Sequence, residues 1–294
     1  MNILHEIAVK TKERIEAQKK IVPPEELIKR VEAMMAAESN VDSTTDSTTD
    51  TFPFEKALKA QSSKDIAFIC EVKKASPSKG IIAEEFPYTD IAKEYETAGA
   101  TAISVLTEPY YFMGQDRYLS EIARTVEIPL LRKDFTIDSY MIYEAKLLGA
   151  SAVLLICSIL DAQTLSEYID ITHSLGLSAL VEVHDEDEIK MALSAGARII
   201  GVNNRNLKTF KVDISLSERL RKCVPPDIIF ISESGISTPD DVAKLRAIDA
   251  DAVLIGESIM KSADKKVEIE KLRGYQFDCH PGLDPGSPPK HTNL

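Results

Sequence analysis

Glu71 and Lys73 stand two residues apart at the end of an apolar run, Ile66 to Cys70, and lead into a Ser76-Pro77-Ser78-Lys79-Gly80 loop. On a strand, positions two apart point to the same side. A carboxylate and an ammonium group therefore face one direction, where they can exchange protons, hold an anion or form a buried structural bridge. Charge facing a packed interior is costly unless paired or used. The ends of later apolar runs carry more such groups. In order they are Ser104 with Thr107-Glu108-Pro109 and the aromatics Tyr110, Tyr111 and Phe112; Lys133-Asp134-Phe135; Glu182 and His184; Asn203-Asn204-Arg205-Asn206; Glu233-Ser234-Gly235; and Gly256-Glu257-Ser258. Any one of these alone can be a solvated or paired strand end. Two lysines and three glutamates converging on one mouth would shift one another's pKa values and allow acid and base roles. The Gly235 and Gly256 turns precede helix-like segments, where backbone N–H groups and a helix N-terminus suit a phosphate. His184 has no second histidine or cysteine at ligand spacing, so no metal site is expected. Ser76 and Ser234 lack an adjacent histidine base, which argues against a serine nucleophile.

The elements that must position these groups repeat one pattern from residue 66 onward: a short apolar run, a polar turn and an amphipathic helical stretch. The runs are Ile66–Val72, Ala102–Leu106, Ile128–Arg132, Ala152–Cys157, Ser178–Val183, Ile199–Val202, Ile228–Ser232 and Ala252–Ile255. Helical spacing covers Thr89–Ala98, Asp138–Leu148, Ala162–Leu175, Glu186–Ala195 and Pro239–Ala247. Strands apolar on both faces and alternating with helices imply a parallel sheet. Eight such units over roughly 200 residues predict an α/β protein with a single (β/α)8 TIM barrel; an open doubly wound sheet is the structural alternative. Ahead of it, Ile3–Lys20 and Pro24–Ala37 read as two charged helices separated at Pro23-Pro24. The predicted organisation is an N-terminal helical extension over 1–50 with a low-complexity Ser/Thr/Asp loop at 39–51, a catalytic barrel over 51–274, and a disordered Pro/Gly-rich tail over 275–294.

Composition bounds the function. The 294 residues carry a formal net charge of −12, which argues against nucleic-acid partners. A local pocket can still bind an anionic small molecule. No apolar run is long enough to span a bilayer, and the charged start is no secretory signal. Four scattered cysteines, Cys70, Cys157, Cys223 and Cys279, read as reduced thiols of a cytoplasmic protein. Charged helix faces favour a monomer.

The motif set resembles the indole-3-glycerol phosphate synthase family. The likeness runs through Glu71-Val-Lys73-Lys-Ala-Ser76-Pro77-Ser78-Lys-Gly80, Leu131-Arg-Lys133-Asp134-Phe135, Leu180-Val-Glu182-Val-His184, Gly201-Val-Asn203-Asn204-Arg205, Ser232-Glu233-Ser234-Gly235 and Leu254-Ile-Gly256-Glu257-Ser258. It covers about residues 1–272. It implies a barrel with extra N-terminal helices over the mouth. It also implies ring closure of 1-(2-carboxyphenylamino)-1-deoxyribulose 5-phosphate with loss of CO2 and water, and no cofactor. By the same resemblance Lys133 protonates the ketose oxygen and Glu182 is the base, with Glu71 assisting and holding Lys73. Asn203, Glu233 and Ser234 orient the substrate, and Phe112 and Phe135 face its ring. Ser76, Ser104 and Arg205 are further substrate contacts, while Lys73, Ser76, Gly235, Gly256 and Glu257 hold the phosphate. How the proton transfers divide between Lys73/Glu71 and Lys133/Glu182 stays open. The alternatives are another phosphate-binding barrel enzyme, such as phosphoribosylanthranilate isomerase with a cysteine–aspartate pair, or a non-catalytic sugar-phosphate-binding barrel.

Overall fold

A computed structural model describes residues 3–41, 51–206 and 209–274. Most of the Ser/Thr/Asp repeat, the segment after Gly274 and Cys279 lie outside the described residues. Eight parallel strands close into a barrel: β1 (Ala67–Val72), β4 (Ala102–Leu106), β5 (Leu130–Lys133), β6 (Ala152–Ile156), β7 (Ser178–Val183), β8 (Ile199–Asn203), β9 (Ile229–Glu233) and β10 (Ala252–Ile255), with β10 pairing back onto β1. Closure decides against the open sheet. A short antiparallel ribbon, β2 (Ala75–Ser76) with β3 (Gly80–Ile81), forms from the Ser-Pro-Ser-Lys-Gly loop.

The outer helices are α4 (Tyr88–Thr97), α5 (Asp116–Ile122), α6 (Ser139–Leu147), α7 (Ala162–Ser174), α8 (Glu186–Ser194), α9 (Ser215–Arg221), α10 (Pro239–Ala247), α11 (Glu257–Lys261) and α12 (Lys265–Leu272). Three more precede the barrel: α1 (Ile3–Ile21), α2 (Pro24–Val41) and α3 (Pro53–Ser62). The helix-like segment expected after Gly256 is α11, whereas sequence periodicity missed α3, α5, α9 and α12. Most are short, and too few turns repeat to expose a 3.6-residue pattern. Strong local caps fix several starts, such as Asp161 accepting from the Thr164 N–H at 2.8 Å and Asp185 accepting from the Glu188 N–H at 2.9 Å.

The period of two along each strand sorts the barrel into an inside and an outside. Ala67 and Ile69, Ala102, Leu131, Ala152 and Leu154, Leu180, Ile199, Ile229 and Ile231, Ala252 and Leu254 fill the interior. Their alternates, among them Phe68, Cys70, Val105, Val153, Val181 and Phe230, pack against the helices. Phe54 and Leu58 of α3 join the interior cluster and plug the end opposite the strands' C-termini. Leu4 and Ile7 of α1 join the same cluster at the mouth.

Two ion pairs hold α1 over that mouth. Arg14 donates to Asp134 at 2.8 Å, and Lys19 pairs with Asp138 at 2.6 Å. Burial would raise the Asp134 carboxyl, but Arg14, Arg132 and the Thr107 hydroxyl (2.7 Å) outweigh it and hold it below the usual aspartate value. A depressed carboxyl contributes stability above its unfolded pKa, and that contribution fades as pH falls through the folded one. Arg14→Ala is therefore expected to cost about 1–3 kcal/mol at neutral pH and less in acid. It should also raise KM, because α1 carries part of the pocket roof. Urea titrations at two pH values together with steady-state kinetics would check it; a variant with unchanged KM would separate α1 docking from substrate binding.

Candidate active site

Two residues beyond the last apolar interior position, most strands turn polar on the same inward face. Ile69 is followed by Glu71, Leu131 by Lys133, Leu180 by Glu182 and Ile231 by Glu233, while Asn203 lies four residues past Ile199. Parallel register places Glu71 beside Ser104, Leu106 beside Lys133, Glu182 beside Gly201 and Asn203 beside Glu233. The result is a charged ring on an apolar floor. Lys133 donates to Glu233 and lies 3.7 Å from Glu182, while Lys73 donates to Glu71. Two ammonium groups thus serve three buried carboxylates.

Electrostatics follow from that count. Burial alone would lower the Lys133 pKa, but Glu233, Glu182 and Glu71 outweigh it and push it above the usual lysine range. Burial raises Glu233, and the charges of Glu182 and Glu71 add to this against the pull of Lys133. Glu233 also keeps one oxygen, Oε1, buried without a hydrogen-bond partner.

Two glycines make room for this ring. A Cβ on Gly201 would collide with Glu233 Oε1, and one on Gly256 with Glu71 Oε2 and, at 3.0 Å, Lys73 Nζ. Gly256, expected only as a phosphate turn, thus also clears space for the Glu71–Lys73 pair.

A cavity of about 650 Å³ opens over the ring. Of the residues expected in the site, Glu71, Lys73, Ser76, Phe112, Lys133, Phe135, Glu182, Asn203, Arg205, Glu233, Ser234, Gly235, Gly256 and Glu257 all line it. Ser104 does not: it sits one layer deeper beneath Leu106, fully buried, with its hydroxyl unpartnered. Its residue type suggested a contact, but the depth of a strand position depends on inter-strand register. Glu257 turns its carboxylate to Lys79 (3.2 Å) and Lys261 (2.7 Å), leaving its backbone to face an anion. Phe112 and Phe135 lie 6.1 Å apart at 39°. The Phe112 loop is fixed by Glu108, which accepts the N–H groups of Tyr110, Tyr111 and Phe112 at 2.7–3.0 Å. Ser234 and Gly235 both adopt left-handed backbone, with φ of 68° and 83°, turning the chain sharply at the rim. Ile3, Leu4 and Ile7 of α1, and Lys79 and Lys261, line the cavity although sequence reading did not select them. The α1 apolar spacing signalled burial without saying against what.

A parallel barrel with acid–base groups at the C-terminal mouth, apolar rings beside them and glycine turns after the last two strands defines a (β/α)8 enzyme for an anionic small molecule. The family model for indole-3-glycerol phosphate synthase matches residues 5–272. The indole-3-glycerol phosphate synthase of Ruminiclostridium cellulolyticum is 57% identical over 92% of this chain and 99% of its own length. That of Lachnoclostridium phytofermentans is 51% identical over 92% and 98%. Among solved structures, 3-hexulose-6-phosphate synthase from Salmonella typhimurium superposes with a TM-score of 0.58 at 16% identity, covering 71% of this chain and 97% of that one. The tryptophan synthase complex from Pyrococcus furiosus gives 0.55 at 14%, covering 72% and 99%. These two show the fold alone. The chain belongs to the indole-3-glycerol phosphate synthase family, carboxy-lyases of tryptophan biosynthesis. Among the described residues no helix is long and apolar enough to cross a membrane.

Proposed function

We propose that the ring closure and the dehydration use different lysines of this mouth. The conversion has a fixed proton count. The ketone oxygen gains two protons before it leaves as water, and the adjacent methylene carbon gives one up. The ring carboxylate leaves as CO2, so each turnover takes up one proton.

Lys133 is the donor for ring closure. It remains an ammonium at any working pH, because three carboxylates raise its pKa. The alkoxide that forms as the ring carbon attacks is a far stronger base than an amine, so the proton moves downhill where charge develops. Loss of CO2 then restores the aromatic ring. Glu182 takes the methylene proton, and its position 3.7 Å from the Lys133 ammonium nitrogen lets it return that proton to Lys133. Lys73, held by Glu71, protonates the departing hydroxyl. Phe112 and Phe135 flank the ring, and the backbones at Gly235 and Gly256, with Ser76, receive the phosphate. Asn203, Ser234 and Arg205 complete the contacts. Glu233 keeps Lys133 in place.

The observation that carries this reading is the Lys133 ammonium held between Glu233 and Glu182 directly above the apolar floor. The isomerase alternative fails on its cysteine. Cys70 faces the helices, and burial pushes its thiol up to about 12. We further infer a cytoplasmic protein without nucleic-acid partners, from the free cysteines and the acidic net charge, and a monomer from its charged helix faces.

Parallel rapid-quench measurement of CO2 and indole fluorescence tests the division. Lys73→Met is expected to release CO2 at near wild-type rate while indole formation slows about tenfold or more. Equal slowing of both signals would overturn it.

A further inference from the structure

His184 follows β7 immediately, and both of its ring nitrogens face carboxylates. Nδ1 lies 3.1 Å from Glu188 Oε2, and Nε2 lies 3.5 Å from Glu182 Oε1. The same Glu188 oxygen accepts the His184 backbone N–H at 2.7 Å. Glu188 is itself fixed in the first turn of α8, where its N–H donates to the Asp185 cap at 2.9 Å. The ring is therefore held from behind by a rigid helix start. Its Nε2 is buried and has no hydrogen-bond partner other than what Glu182 can offer by closing a few tenths of an ångström.

A neutral imidazole donates from one nitrogen only and would turn a lone pair on the other toward a carboxylate oxygen. The imidazolium satisfies both sides. We propose that His184 is a positioning residue: a protonated bridge, braced by Glu188, that fixes the Glu182 carboxylate through Oε1 and leaves its second oxygen toward Lys133 and the substrate. This rests on Glu182 being the base.

The surroundings agree with a cation at this point. Burial opposes the charge, but Glu188, Glu182 and Glu233 outweigh it and raise the His184 pKa. Asp185 adds a further carboxylate on the α8 side. Lys133 faces the opposite oxygen of Glu182 rather than the imidazole. The Cys157 thiol, after β6, touches the Glu188 carbonyl, and burial keeps it protonated. Glu182 therefore sits between two cations, each on its own oxygen.

The role is separable from simple packing. While protonated, His184 sets a cation against Glu182 Oε1, and without it that oxygen faces no counter-charge. His184→Gln is expected to move the acid limb of kcat/KM upward by about one pH unit, the scale of one close opposite charge, which is about a tenfold loss of activity on that limb. Activity at the plateau and KM should change little. Glu188→Gln should move the limb in the same direction, and the double variant no further than His184→Gln alone, because Glu188 acts through the imidazole. NMR titration of the His184 ring proton, assigned by its loss in His184→Gln, should give a midpoint above that of a free histidine. A midpoint below it, or an acid limb unmoved in a folded His184→Gln protein, would overturn the proposal. Glu182→Gln separates the two readings. If it retains turnover, the assignment of the base fails; if it is inactive while the His184 variants leave the limb unmoved, only the bridge fails.

Discussion

Lys133→Ala is expected to lower kcat by a factor of about 10² or more, the scale of a lost general acid, with a much smaller change in KM. The loss should appear in CO2 release and in indole fluorescence alike, because the variant stalls before the first irreversible step. Lys133→Arg should not rescue it. A guanidinium is planar and gives up its proton far less readily than an ammonium, and it would have to fit where Glu233 and Glu182 already meet one nitrogen. Removing the ammonium also strips Glu233 of its ion-pair partner, while Lys73 stays on Glu71 and His184 on Glu182. The buried Glu233 carboxyl, already raised, should rise further, and a raised carboxyl is destabilising as pH climbs through its unfolded value. The variant's stability should therefore be nearest to wild type in mild acid. Turnover near the wild-type rate in a folded Lys133→Ala protein would refute the assigned role.

The second large effect lies on the other face of the same strand. Arg132 alternates with Lys133 and points outward, where it is almost fully buried. It bridges Asp116 and Glu144, each at 2.6 Å, donates to the Met141 carbonyl at 2.9 Å and to the Thr107 hydroxyl at 3.2 Å, and stands 3.9 Å from Asp134. Arg132→Met keeps much of the volume but strands these acceptors. It is expected to cost about 3–5 kcal/mol in urea unfolding, the usual penalty for breaking a buried ionic cluster from one side. Adding Asp116→Asn and Glu144→Gln should recover part of that loss, since the uncompensated charges are what make it large. A single variant within 1 kcal/mol of wild type would show that Arg132 is merely accommodated. Because Asp134 also holds Arg14 of α1, the damage should reach the pocket roof and raise KM as well.

The two residues show what could be read beforehand. Lys133 was legible because alternation is local: Leu131 inside dictates Lys133 inside, and the same rule delivers Glu71 from Ile69 and Glu233 from Ile231. The barrel itself was legible from the repetition of the unit. Arg132 was passed over because alternation says only that it faces the helices, not that Asp116 and Glu144 come to meet it there. Ser104 lies off the cavity for a related reason, since its depth depends on how far β4 is staggered against β1. The helix α3 spans only ten residues, so its Phe54 and Leu58 stripe did not stand out, yet it closes the barrel floor through those two side chains. The distances inside the charged ring arise from strands far apart in sequence and carry no local mark.

The missing side chains at Gly201 and Gly256 set an order on substitutions. Each leaves open the volume that a neighbouring strand's glutamate fills, Glu233 in one case and Glu71 in the other. A lineage drifting away from this chemistry can shorten the glutamate first and let the glycine grow afterwards. The opposite sequence of events drives a methyl group into a buried carboxylate and is closed. The same asymmetry holds on the way in: the glycine must come before the acid. Packing thus gives the site a direction in sequence space, and each glutamate depends on its glycine more strictly than the glycine depends on it.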